Sequence, residues 1–214
     1  MASGYVMCWA AKWLGSQEIL FDGLHLSSKK KMLRGIYKLL SEADAVVHYN
    51  GSRFDIPTLN KEFILRGWTP PAPYQQIDLL KTARKQFRFP SNKLDYIAKS
   101  LGLGGKTKHA GHELWVKCMA GDKDAWATME EYNKNDVVLL ENVYEKLLPW
   151  ITGHPSHGLY SGDDRCPNCG GKHLVRRGYS YTILSKYQRY KCKTCGAWSR
   201  SRKSLATKTT NTIV

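Results

Sequence analysis

Val46-Val47-His48-Tyr49-Asn50-Gly51-Ser52-Arg53-Phe54-Asp55-Ile56-Pro57 is the stretch of this 214-residue chain from which its fold is read. Ala45-Val46-Val47, at its edge, is a β-branched apolar run of the buried-strand type. Asn50-Gly51-Ser52 is a cluster of turn-formers, and Pro57 suits the first turn of a helix. Asp55 therefore stands where a strand has ended and a helix begins. In open α/β sheets, ligands and metal ions collect in the crevice outside the carboxyl ends of the strands. A carboxylate held there, close to helix N–H groups, is expected to be ionised and outward-facing. A helix cap or an ordinary first-turn acid fits the same position.

Downstream, Glu130 to Leu148 repeats its apolar residues with helical spacing at Val137, Leu140, Val143, Tyr144 and Leu147. Tyr132 and Asp136 are four apart on it, so the phenol and the carboxylate share one face. Asn50-x-x-x-Phe54-Asp55, followed some eighty residues later by Tyr132-x-x-x-Asp136, resembles the second and third motifs of the DEDD-type, proofreading 3′–5′ exonucleases, tyrosine subclass, of the RNase H-like fold. Between them, Ile77 to Arg84 and Leu94 to Gly102 resemble the connecting segments of bacterial and phage members. The resemblance covers about residues 5 to 151 and rests on order and spacing.

It implies an α/β, mixed-sheet RNase H-like domain that hydrolyses phosphodiester bonds in nucleic acid with two Mg²⁺ or Mn²⁺ ions about 4 Å apart. Asp55 and Asp136 would be metal ligands and Tyr132 would orient the attacking water. Asn50 and Phe54 would shape the pocket for the terminal nucleotide. Single-stranded DNA or DNA 3′ ends are the implied substrate, and a DNA polymerase is one implied partner. The family's opening strand carries Asp-x-Glu, and residues 1–30 contain no such pair. The opening residues, MASGYVMCWAAKWLG, look like the second or third strand of such a domain. The domain is thus expected to be N-terminally incomplete, with the missing acids supplied upstream or by another chain. Glu18 and Asp22 lie on the next strand at the wrong spacing to replace them.

Two short strands, Tyr5 to Ala11 and Glu18 to Asp22, are expected around a turn at Leu14-Gly15-Ser16. Ser27 or Ser28 caps a helix through about Glu42, with Met32, Leu33, Ile36, Leu39 and Leu40 on one face. Its leading Lys29-Lys30-Lys31 opposes the helix dipole and reads as solvated. A strand is expected at Gln76 to Leu79, where Asp78 reads as structural. Ser91 is expected to cap a helix from Lys93 to Leu101. Lys106, Lys108 and His109 form a basic loop that reads as phosphate-contacting.

The second strong pattern is Cys166-Pro167-Asn168-Cys169, then twenty-two residues, then Cys192-Lys193-Thr194-Cys195, each pair followed by Gly. Two such knuckles fit a tetrahedral four-thiolate Zn²⁺ site, structural because it leaves no open position for water. The module resembles the zinc ribbons of transposases and other nucleic-acid proteins. Boundaries are expected at 1–151 for the nuclease-like domain, 152–165 for a linker, 166–198 for the ribbon and 199–214 for a disordered basic tail.

Charge follows that division. From Arg165 onward there are twelve Lys or Arg, Arg176, Arg177 and Arg189 among them, and no acid. The first 164 residues hold the other 21 basic and all 18 acidic residues, so nearly all of the +15 net charge is in the last fifty. A cationic appendage of that kind meets polyanions by counterion release. No run of eighteen apolar residues and no basic-then-apolar leader is present, so neither a membrane span nor a secretory signal is indicated. A cytoplasmic protein of a bacterium or a phage-infected host is expected. The readings open at this point are an exonuclease, a nucleic-acid-binding protein without catalysis, and a ribbon-mediated regulatory protein.

Overall fold

A hairpin comes first. β1 (Cys8–Lys12) and β2 (Ile19–Gly23) pair antiparallel, with Cys8 opposite Gly23 and Lys12 opposite Ile19. Gly15 turns the chain between them at φ +81°, a left-handed value that glycine adopts without steric cost. The structure is a computed structural model that describes residues 4–105, 111–157 and 165–205. It has two units, Met1–Leu147 and Leu148–Val214.

α1 (Lys29–Glu42) begins where the sequence places its cap: Ser28 Oγ accepts from the Lys31 amide at 3.3 Å. Its apolar stripe, Met32, Leu33, Ile36 and Leu40, is buried with Leu59 and Phe63 of α2 (Asp55–Ile64). The lysines at its start are not all simply solvated. Lys29 pairs at 3.0 Å with Glu62, a buried residue, and lies 4.7 Å from the centroid of Tyr5. Glu62 carries a second cation, Arg66, at 2.6 Å. Burial pushes the Glu62 pKa up, but the two cations overcome it and hold the carboxyl below its ordinary range.

β3 (Ala45–His48) and β4 (Gln75–Asp78) are parallel, Ala45 opposite Gln75 and His48 opposite Asp78, with α2 in the crossover between them. Among the described residues β1 bonds only to β2, and β3 only to β4. Among those residues each of these four strands has one edge without a strand partner. The expected sheet is present as two separate ladders.

α3 (Leu79–Gln86), α4 (Leu94–Ser100) and α5 (His112–Met119) follow. Ser91 does not cap α4 directly: Lys93 is the N-cap, and Ser91 Oγ accepts from its amide at 3.4 Å. α6 (Lys123–Leu147) is longer than its downstream periodicity suggests. Asp122 starts it by accepting from the amides of Asp124 at 2.9 Å and Ala125 at 3.0 Å. Trp126 and Met129 then bury against Met7, Leu114 and Cys118. Leu139, absent from the expected stripe, is buried, while Val137 and Leu140 are half-buried. Lys12 of β1 pairs with Glu141, which ties α6 to the hairpin.

The second unit is an antiparallel three-stranded sheet, β5 (Leu174–Tyr181), β6 (Lys186–Cys192) and β7 (Trp198–Ser204), in that spatial order. β7 runs to Ser204, so residues 199–204 are strand where a disordered tail was expected. The alternation of Ser and Arg from Ser199 to Arg202 is a period-2 pattern that the charge obscured. The unit also begins earlier than expected, at Leu148. There Asn168 Nδ2 donates to Leu148 O at 2.7 Å and to Ile151 O at 3.3 Å, fastening residues 148–151 to the first knuckle.

Candidate functional site

The turn after β3 is built around Asp78, at the end of β4. Its carboxylate accepts from the Asn50 amide at 2.9 Å, from Ser52 Oγ at 2.8 Å and from the Leu80 amide at 3.0 Å. Burial would raise its pKa, but these donors and the His48 imidazole outweigh it and hold the carboxyl below its ordinary range. Asp78 thus fastens the turn and caps α3, which agrees with its reading as structural. His48 completes the fastening: the Gly51 amide donates to its Nδ1 at 3.1 Å, and its Nε2 lies 3.1 Å from Gln76 Oε1. A Cβ on Gly51 would lie 2.8 Å from the ring, so only glycine fits there. Asn50 has φ +64°, a left-handed conformation that Asn tolerates better than most residues.

This turn aims the expected site residues. Asn50 and Phe54 line one open cleft of about 730 Å³ together with Tyr49, Arg84 and residues 90–95. Phe54 is exposed and lies 5.6 Å from the Arg53 guanidinium. The Tyr49 hydroxyl donates to Asn92 O at 2.6 Å, and burial pushes its pKa up to about 12. Asn92 Oδ1 is buried beside it without a hydrogen bond. The cleft thus presents a ring face, cations and amide groups.

Asp55 is the first residue of α2; Phe54 holds the cap position, and no side chain caps the helix. The residue is exposed, in line with the outward orientation expected. Protein atoms crowding the carboxyl push its pKa up, against the pull of His48 and of its own amide. Desolvation thus outweighs the helix amides in setting the direction of its shift. Tyr132 and Asp136 lie one turn apart on α6, the helix that packs along β1. Tyr132 is half-buried against the core cluster that holds Met7, Trp126 and Met129, and Asp136 Oδ1 is buried. Asn50, Phe54 and Asp55 are thus gathered by one turn, whereas Tyr132 and Asp136 sit on a separate element.

Among the described residues, the only group of three or more His, Cys, Asp or Glu placed to share a metal ion is Cys166, Cys169, Cys192 and Cys195. Asp55 and Asp136 do not by themselves form the carboxylate cage that two divalent ions require. The four thiols do fit Zn²⁺. Their Sγ atoms lie within 4.8 Å of one another, with Cys166 to Cys195 at 3.6 Å and Cys169 to Cys192 at 3.7 Å. A tetrahedron with Zn–S bonds of about 2.3 Å has S···S edges of about 3.8 Å. The knuckles have matching backbones: Gly170 N donates to Cys166 O at 2.9 Å, and Gly196 N to Cys192 O at 3.0 Å. Gly170 and Gly196 have φ +70° and +82°. Burial raises the pKa values of Cys166 and Cys195, whereas at Cys192 it is outweighed by the amides of Cys195 and Thr194, which bring the value down to about 7. At Cys192 they favour the thiolate that a metal requires.

Of the basic residues singled out, Lys106, Lys108 and His109 lie outside the described residues. Arg176, Arg177 and Arg189 are exposed on the ribbon. Arg176 sits opposite Tyr190, whereas Arg189 sits opposite Arg200. Sequence reading missed Tyr49 and Asn92, which no short motif marks. No described helix is long and apolar enough to cross a membrane. Residues 16–148, from just before β2 to the end of α6, match the family model of the RNase H superfamily. No curated protein matches the chain.

Proposed function

Because the chain belongs to the RNase H superfamily, we propose that it is a nuclease of the 3′–5′ exonuclease kind, acting on single-stranded DNA or DNA 3′ ends. The observation that carries this reading is the single turn after β3, which sets Asn50 and Phe54 on one cleft and Asp55 next to them. In this reading Phe54 stacks on the terminal base, Asn50 and Arg84 hold the sugar-phosphate, and Tyr132 orients the attacking water. Asp55 and Asp136 contribute carboxylates to a Mg²⁺ or Mn²⁺ site that needs further acids, from an upstream segment or another chain. The zinc in the ribbon has a structural role.

The test is digestion of a 5′-labelled single strand by zinc-loaded protein with Mg²⁺ or Mn²⁺. Stepwise shortening from the 3′ end, abolished in both Asp55→Ala and Asp136→Ala, is the expected outcome. A chain that binds the strand without shortening it favours the second reading, a nucleic-acid-binding protein without catalysis. That reading is supported by the lack of a third carboxylate or histidine grouped with Asp55 or Asp136 among the described residues.

A further inference from the structure

One face of the ribbon sheet carries a layout that the metal does not require. Residues on β6 alternate sides, so Tyr187, Arg189 and Lys191 share a face. Across the β6–β7 ladder Lys191 is opposite Trp198 and Arg189 is opposite Arg200, which adds both β7 residues to it. Arg189 and Arg200 are thus like charges in direct cross-strand register, a pairing that destabilises a sheet. Among the described residues neither forms an ion pair with an acid, and residues 165–205 contain none. Each lies over a ring: Arg189 is 4.9 Å from the Trp198 centroid while its Nε donates to Arg177 O at 2.9 Å, and Arg200 is 4.2 Å from the Tyr187 centroid. Lys191 lies 5.7 Å from the same indole. Trp198 still exposes half its surface, at 52%.

We propose that this face binds single-stranded nucleic acid, a phosphate bridging Arg189 and Arg200 and a base stacking on Trp198. An anion between the two guanidinium groups relieves their repulsion. An indole with a cation beside it and open surface remaining offers a base a stacking platform that accepts any sequence. Duplex DNA keeps its bases stacked internally, so it can use the cations but not the indole. The proposal rests on the nucleic-acid reading above and adds to it a strand preference located in the ribbon.

The experiment measures affinity of the zinc-loaded full chain for a labelled oligo-dT and for a duplex of equal length, across a salt series. Zinc content confirms that each variant is folded. Trp198→Ala is expected to weaken oligo-dT binding about ten- to a hundredfold and to leave duplex binding within about twofold; Trp198→Phe restores most of the loss. Arg189→Gln with Arg200→Gln is expected to weaken both and to flatten the oligo-dT salt slope by about one unit. Equal losses on both substrates in Trp198→Ala, or none on either, overturn the proposal. Cleavage measured in parallel separates the two readings. Binding with the Trp198 signature and no cleavage defeats the nuclease reading alone, and cleavage with no Trp198 signature defeats this one alone.

Discussion

The two units are held together by different physics. In the first, apolar side chains from α1 and α2 close a core: Met32 and Leu33 are fully buried, and Phe63 is 1% exposed. In the second, the buried cluster around the sheet is two of the four clustered cysteines and Ala197, with Leu174 beside them, and most of the sheet faces water. A three-stranded ribbon of that size buries too little apolar surface to offset its chain entropy, so the thiol cluster must substitute for a core. What the comparison teaches is that sequence signals differ in kind between such units. A core-built unit writes its fold in periodicity, whereas a metal-built unit writes it in four residues.

The largest effect should come from removing the metal. Chelation, or Cys192→Ser, forfeits a binding free energy on the order of 10 kcal/mol. Limited proteolysis should then cut within 165–205 while residues 4–147 remain resistant. Equal loss of protection in both units would break the distinction. Phe63→Ala should reverse the pattern, lowering the melting temperature of the first unit by an amount equivalent to about 3–5 kcal/mol, with zinc content unchanged.

Asp78→Asn is the finer probe, because it removes one charge from a fully hydrogen-bonded turn. It should cost about 2 kcal/mol at neutral pH, read from the first unit's melting. Asp78 has a lowered pKa in the folded protein. Its contribution is therefore fully present above its unfolded value, about 3.9, and is lost as pH falls through the folded one. The gap between parent and variant should narrow below about pH 4. A gap independent of pH would show that geometry, not charge, holds the turn.

Much of this was legible before any coordinates. The hairpin around Gly15, the Ser28 cap, the buried stripe of α1 and the two cysteine knuckles all follow local rules. Lys29 was misread because its partner Glu62 is thirty-three residues away, and local reasoning weighs a lysine only against its own helix. The cleft residues Tyr49, Arg84 and Asn92 come from three separate segments, so only the tertiary fold makes them neighbours. Asp55 was correctly placed at a helix start, but the direction of its pKa depends on crowding that the sequence does not encode locally. The β7 extension was hidden by charge, since a strand of alternating Ser and Arg looks like a solvated tail in composition alone.

The matched knuckles also bear on the order of events as the ribbon forms. Each is a local loop closed by its own glycine amide, with Gly170 reaching back only to Cys166 and Gly196 only to Cys192. Loops that short close in tens of nanoseconds or less, long before β5 and β6 can zip. An ion arriving early meets two preformed thiol pairs separated by twenty-two residues. Capture by either pair leaves a half-ligated chain that waits only for that one intervening loop to close. Assembly is thereby reduced to a single search, which the ion itself terminates.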